Sequence, residues 1–473
     1  MKGAAWTYVA FFSRRFVTFL STMVLVRFVG PEGFGLMAAA LLVIRYFDAV
    51  NDAGVGAAMV QYQSDPEKTV NVAMLISLGM GIVLTTLSVL SAPYVANFFH
   101  QPELKALLWF LSPIFLFSSF AQVQGYWLKK TFRFAERVVP EISSVLVKAF
   151  VSILFAILGF GVWSLAFGQM SGQITASIAY WRVTRNQLSL AFDRKIAYRL
   201  LSFGTKLSVI TFVGILSQTV DQVVIARYLD ASQLGYFVLG SMLPELAVMG
   251  VCVSASQVFF PTFSRVQAKP RLLRASYLLS LKYVVMITFP VAIGVAIVAE
   301  DFVTIAYSEL WAASVPIIQI LALSALLKSV AFSAGDVLKA TGKTGLLSRL
   351  IVLRLVISVP VLLLFVGKGI VAIALVTLGT NIVVMAITMV VVMRQLSARP
   401  SALLFAILPA LIATGVMALA CVGITLVGAD LNVFTRLILT ILTGALVYGV
   451  TLWMLDRTSC ETVINFVARK DLV

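Results

Sequence analysis

Eight basic residues lie inside long apolar stretches of this chain: Arg14, Arg15, Arg45, Lys148, Lys206, Lys282, Lys328 and Arg354. A basic side chain at the centre of a membrane helix costs about 2.5–3.5 kcal/mol on insertion scales, so eight of them facing lipid would be prohibitive. They must face a watery cavity or pair with acids. As a set they point to a cationic cavity within the membrane. Such a cavity stabilises an anion, for example a pyrophosphate, with Arg offering paired N–H groups and Lys a point charge. For any single member, a structural ion pair or a side chain snorkelling to the interface is the alternative.

The acids within or near the same stretches are Asp48, Asp52, Glu141, Asp221, Glu245 and Asp336. Asp48, Asp52 and Asp221 are the candidates for coupling transport to protons or sodium. Asp221 has Gln218 and Gln222 beside it, and burial would raise its pKa unless a cation partners it. Spacing suggests some pairs: Arg45 with Asp48 and Asp52, Lys148 with Glu141, and Lys328 with Asp336, each set on one helical face. Asp336, with Arg27 and Arg227, reads as structural.

Other chemistries find no support. There is no GxxxxGK[ST], HExxH or GxSxG. Cys252, Cys421 and Cys460 are scattered and have neither disulfide nor zinc spacing. The single His100 cannot build a metal site and reads as a solvated loop residue. No cofactor is expected beyond a coupling ion. The excess of basic residues lies in loops between apolar runs, which argues against nucleic acid as a partner and for membrane lipid.

The elements that must position these residues are membrane helices. Of 473 residues, 60% are hydrophobic and 12% charged, with a mean hydropathy of +1.01. Soluble chains are nearer 45–50% apolar and about 25% charged. The pattern predicts an all-α integral membrane protein of about fourteen spans, from 5–29 through 35–60 and 139–158 to 402–427 and 434–455. Kinks are expected at Pro93, Pro113, Pro244, Pro290, Pro316, Pro360 and Pro409. The N-terminal segment carries Arg14 and Arg15 and has no small-residue cleavage site, so it reads as a span and not a signal peptide. If the N-terminus is cytoplasmic, 23 of the 36 basic residues fall in loops on that side and five on the other. That asymmetry predicts an even number of spans with both ends cytoplasmic. The connections are short, which leaves no room for a soluble catalytic domain.

The chain also repeats itself. Arg27 and Gly35 return as Arg227 and Gly235, GYWLKKT from Gly125 as GDVLKAT from Gly335, and GFGVWSLA from Gly159 as GKGIVAIA from Gly367. Three echoes in the same order argue for two copies of one bundle. The expected organisation is an N-lobe at 1–190, a C-lobe at 191–397, and a C-terminal helix pair with a tail at 398–473. The lobes would be two pseudo-symmetric six-helix bundles. The GxxxG spacing of Gly168 and Gly172 reads as ordinary close packing.

Several of these segments resemble a known family. RxxGPExFGL at Arg27–Leu36, DxGxGxAxVQ at Asp52–Gln61 and GxGVWSL at Gly159–Leu165 look like motifs of bacterial polysaccharide transport proteins. Val258–Tyr277 and Trp311–Leu321 are similar to Wzx-type flippases, especially the colanic-acid exporter branch. That family sits in the multidrug/oligosaccharidyl-lipid/polysaccharide exporter superfamily. The resemblance implies two six-helix lobes about a pseudo-two-fold axis and two extra C-terminal helices. It also implies flipping of an undecaprenyl-pyrophosphate-linked oligosaccharide across the bacterial inner membrane by alternating access. Separate proteins, a polymerase and a chain-length regulator, would then build exopolysaccharide, capsule or O-antigen. The family motifs are structural turns, so no ligand-binding residue carries over from them. An ion-coupled drug/cation antiporter of the same superfamily and a lipid II flippase are the alternatives, and a membrane-embedded glycosyltransferase is the enzyme alternative. Intramembrane basic residues outnumbering acids disfavour the antiporter.

Overall fold

A computed structural model describes residues 2–51, 55–61, 65–184, 192–428 and 430–468; the side chains of residues 2–11, 57, 203, 206, 207, 210 and 463–468 lie outside that description. The helices are α1 (Lys2–Phe28), α2 (Pro31–Asn51), α3 (Val55–Gln61), α4 (Pro66–Phe99), α5 (Glu103–Leu111), α6 (Ile114–Lys130), α7 (Val138–Ile157), α8 (Val162–Thr184), α9 (Arg194–Tyr228), α10 (Ala231–Pro244), α11 (Gly250–Val266), α12 (Pro270–Ala306), α13 (Val315–Ala340), α14 (Thr344–Phe365), α15 (Ile370–Gln395), α16 (Pro400–Val427), α17 (Val433–Leu455) and α18 (Arg457–Ala468). Among the described residues there is no strand.

Among the described residues, eleven helical stretches are long and apolar enough to cross a membrane. The expected fourteen spans also count α1, α8 and α9, which are 27, 23 and 35 residues long. These three carry more polar residues: Arg14 and Arg15 on α1, Gln169 and Gln173 on α8, Gln218, Asp221 and Gln222 on α9. Polarity of that kind suits a helix that faces a lined interior. Of span 35–60 the structure describes α2 and α3, and residues 52–54 between them lie outside the description. Span 105–128 divides into α5 and α6, with Pro113 as the N-cap of α6. Pro93, Pro244, Pro290, Pro360 and Pro409 are carried inside helices, and Pro316 sits in the first turn of α13. After Pro244 the helix widens into a π segment, Glu245–Met249, the usual way a helix absorbs a lost hydrogen bond.

The internal repeat is visible in the helix ends. Gly125 and Gly335 differ by 210, and so do the caps that follow them. Thr131 ends α6 at φ −88°, ψ 6°, and Thr341 ends α13 at φ −89°, ψ 8°. Each hydroxyl donates to the carbonyl four residues back, Trp127 at 2.9 Å and Val337 at 2.8 Å. The next residue is left-handed in both, Phe132 at φ 57° and Gly342 at φ 72°. The amides then close the same pair of bonds, Phe132 to Lys129 and Arg133 to Leu128, Gly342 to Lys339 and Lys343 to Leu338. This is a Schellman end. The other turn also recurs: Gly161 (φ 52°) precedes α8 and Gly369 (φ 89°) precedes α15.

The chain forms two compact units, Met1–Gly235 and Tyr236–Val473. The lobe boundary expected from the sequence repeat is 190/191. The contact boundary lies later because α9 packs on α2, α3 and α4. In the first unit, Val55, Met59, Val72, Met74, Val123 and Leu200 form one buried cluster. In the second, Phe263, Tyr277, Leu281, Val285, Phe289, Val337 and Val392 form another.

The C-terminal pair α16–α17 is fastened to α12 within the second unit. Arg436 at the start of α17 grips Asp301 on α12, its Nε 3.1 Å from both carboxylate oxygens. At the other end Lys282 on α12 meets Asp456 at 2.6 Å. Lys282 and Asp301 are nineteen residues apart, about 28 Å along a helix, close to the roughly 30 Å hydrocarbon thickness. The two ion pairs therefore sit at opposite membrane faces, where charge is cheapest. Between them Tyr448 donates to the Met286 carbonyl at 2.5 Å.

Candidate functional site

The first unit carries a polar column between its helices, and glycine creates the room for it. A Cβ on Gly168 would stand 1.8 Å from the Ser152 Oγ and 2.8 Å from the Lys148 carbonyl oxygen. One on Gly172 would stand 2.9 Å from the Lys148 Cβ. The GxxxG spacing thus brings α8 directly onto the α7 backbone, as read from sequence. That approach sets the Lys148 amine 2.5 Å from the Gln169 Oε1, to which it donates. Lys148 lies about ten residues into the twenty-residue α7, near the middle of the span.

Arg45, on α2, lies within electrostatic reach of Lys148. Among the described residues no carboxylate lies within 4 Å of either cation. Two predicted cavity residues thus feel each other's charge, and a neutral amide supports Lys148. A like-charged pair at mid-membrane is costly in the empty protein and favourable once an anion lies between.

Next to this pair runs a network around Asp48. Its Oδ1 accepts from Gln122 Nε2 at 3.2 Å and Ser118 Oγ at 3.4 Å. Asn51 bridges Ser118 and Ser119, donating to the first and accepting from the second, each at 3.0 Å. Carboxylate, amide and hydroxyl oxygens converge here on α2 and α6, a donor set suited to a proton or a hard cation.

Gln122 also lines a cavity of about 400 Å³ with Arg14, Tyr126, Lys129, Arg137, Glu141, Gln173 and Tyr180. Glu141 is its anchor. Arg14 reaches it at 3.2 Å and Arg137 at 2.7 Å, and the Tyr180 hydroxyl donates at 3.5 Å. The Arg137 Nε is buried and has no partner. Counting Lys129, three cations line this cavity against one acid. Glu141 and Lys148 are on one face of α7, seven residues or about 10 Å apart. The cavity thus lies at the basic-rich end of the column and Lys148 deeper in.

Several predicted pairs resolve differently. Glu141 pairs with Arg14 and Arg137, not Lys148, because about 10 Å is beyond ion-pair reach. Asp336 meets Lys339 at 3.4 Å, three residues away and so one turn along the helix. Lys282 is tied to Asp456 in the C-terminal fastening. Arg15, Lys328 and Arg354 are partly buried. Asp221 is 9% exposed, and its Oδ1 accepts from the Gln222 amide at 2.9 Å. Asp52 and the Lys206 side chain lie outside the described residues. Sequence reasoning passed over Gln122, Gln169, Gln173, Arg137 and Tyr180. The available signal was Gln169 and Gln173, four apart on one face of a membrane helix.

A helical fold of long apolar helices with a polar column inside defines a multi-pass membrane protein. It superposes on the lipid II flippase MurJ in an inward closed conformation with a TM-score of 0.76 at 17% identity, covering 96% of this chain and 99% of that one. It superposes also on an inward-facing multidrug resistance MATE family transporter of the MOP superfamily, with a TM-score of 0.68 at 16% identity over 81% of this chain and 94% of that one. Residues 24–316 match the family described as "Polysaccharide biosynthesis protein", and the chain belongs to it. Teichuronic acid biosynthesis protein TuaB of Bacillus subtilis is 28% identical over 63% of this chain and 62% of its own length. Lipopolysaccharide biosynthesis protein WzxC of Escherichia coli is 24% identical over 77% of this chain and 74% of its own. The chain thus matches rather less than two thirds of the length of TuaB.

Proposed function

We propose that this protein flips an anionic lipid-linked oligosaccharide, an undecaprenyl-pyrophosphate-linked repeat unit, across the bacterial inner membrane for polysaccharide synthesis. The observation that carries the reading is Lys148 near mid-helix, held by the neutral Gln169 amide and within electrostatic reach of Arg45, with no carboxylate within 4 Å of either cation among the described residues. A pyrophosphate supplies the missing negative charge and accepts from both heads. Membership of a polysaccharide biosynthesis family supports the sugar part of the substrate. The likeness in fold to MurJ supports a second reading within the same class, in which the cargo is lipid II.

In this reading the protein works by alternating access between two lobes, with both termini cytoplasmic. The protein itself makes and breaks no covalent bond. Asp48, with Asn51, Ser118 and Gln122, is the site where a coupling proton or sodium ion would bind; Asp221 is the second candidate. A polymerase and a chain-length regulator would take the product. The test is a deletion strain assayed for surface polymer and for the leaflet holding lipid-linked oligosaccharide. Loss of polymer with the intermediate trapped on the cytoplasmic side, restored by the wild-type gene and not by a double Arg45→Gln, Lys148→Gln variant, is the expected result. Normal polymer in the deletion strain would overturn it.

A further inference from the structure

A second cavity in the first unit has the opposite character. It is apolar, about 560 Å³, and lined by α2 (Leu42, Tyr46, Phe47), α4 (Tyr94, Phe98) and α9 (Phe212, Leu216, Val223) among others. That volume is within the range of small-molecule sites. Of the two tyrosines that line it, Tyr46 has its hydroxyl bonded to Thr219 at 2.7 Å and Tyr94 is largely exposed. Its α9 wall runs from Phe212 to Val223, eleven residues or about 16 Å along the helix. Arg227 lies one turn beyond, fifteen residues or about 22 Å from Phe212.

At its mouth stands a cation without an acid. The Arg227 guanidinium lies 5.0 Å from the Phe98 ring, which also lines the groove, and 5.7 Å from the Tyr228 ring. Its NH1 is 2.8 Å from the His100 Nε2. His100 is fixed there as the left-handed C-cap of α4, at φ 55°. Among the described residues no carboxylate lies within 4 Å of Arg227. The loop signs place this end on the side poor in basic residues, the outer leaflet. An Arg backed by rings and a histidine, with no acid, is a phosphate seat.

We propose that this groove holds the single long chain of a polyprenyl phosphate or pyrophosphate in the outer leaflet, its head on Arg227 and His100 and its tail lying between α2, α4 and α9. The assignment rests on the lipid-linked reading above and adds to it a place where the lipid product docks after crossing. Depth selects the occupant. Half the hydrocarbon thickness is about 15 Å, so a chain confined to one leaflet stops short of Phe212. A polyprenyl chain anchored at Arg227 is long enough to reach it. Because the head sits outside the mid-membrane cations, emptying this site does not require emptying that one.

The experiment uses the full-length protein in nanodiscs with a photoactivatable undecaprenyl phosphate, followed by peptide mapping. Labelling should fall on the segments around 94–99 and 212–223. Arg227→Gln should reduce it at least tenfold, Arg227→Lys should restore part of it, and Leu216→Trp should block the tail. An excess of phosphatidylglycerol should leave labelling in place. Equal competition by phosphatidylglycerol would show a bulk-lipid groove and overturn the proposal, as would labelling indifferent to Arg227→Gln. Melting curves of both variants exclude misfolding as the cause. If labelling fails while Lys148 variants still lose transport, only the groove assignment falls.

Discussion

Replacing Lys148 by Gln should move stability and transport in opposite directions. In the empty protein the ammonium is held by one neutral amide, Gln169, and is repelled by Arg45. Like charges within electrostatic reach in a partly screened interior repel by on the order of 1–2 kcal/mol. Water in the column screens part of this, leaving about 1 kcal/mol. Gln keeps an amide contact to Gln169 and removes both the repulsion and the desolvation of the charge. The melting temperature should therefore rise, by about a degree or two for a chain of this size. The loaded protein tells the other half. A charge-assisted contact to a phosphate contributes about 1.5–3 kcal/mol, so transport should fall roughly 10- to 150-fold. Thermal unfolding of purified protein and flipping in reconstituted vesicles measure the two. Lys148→Met, which cannot bond Gln169, separates the loss of charge from the loss of the amide contact. A lower melting temperature with unchanged transport would show Lys148 to be structural and would refute the argument.

Four further outcomes are expected. Gly168→Leu forces α8 off α7 and should destabilise by about 1–3 kcal/mol, read by thermal unfolding, with transport falling as Lys148 loses its register. Phe132→Gly should stabilise by about 0.5–1 kcal/mol, because Phe132 holds a left-handed cap at 80% exposure where the repeat has Gly342. Burial would raise the Asp456 carboxyl, but the hydrogen bonds from Lys282 and Ser459 prevail and hold it below its ordinary value. Its contribution is therefore full above about pH 4 and is lost as pH falls further. Protease sensitivity of α17–α18 should rise in that acid range in the wild type, and Asp456→Asn should show it at neutral pH. Asp48→Asn should abolish the dependence of transport on a proton or sodium gradient, measured in vesicles with imposed gradients.

The fold was largely legible because the bilayer leaves a chain few options. Apolar runs of span length can only be helices. Helix ends were less legible. Apolarity stops at the interface, whereas α4 and α12 continue to 34 and 37 residues, beyond the roughly twenty that a crossing needs. The repeat, faint as letters, is firm as geometry: Thr131 and Thr341 share their cap angles to within about two degrees.

The candidate site was legible only as a cost. An insertion penalty marks each intramembrane cation without saying what relieves it, since relief comes from helices distant in the sequence. Arg14 finds Glu141, 127 residues away. Lys282 finds Asp456, and Asp301, which the sequence reading left out of its list of acids, finds Arg436. Reasoning along one helix instead paired Lys148 with Glu141, whose heads are separated by two turns. Once the distant partners are in place, Arg14 and Lys282 have acids, whereas among the described residues Arg45 and Lys148 have none within 4 Å. The proposed anionic cargo would account for that difference. A structural role predicts an acid within reach of the pair, as for the other two.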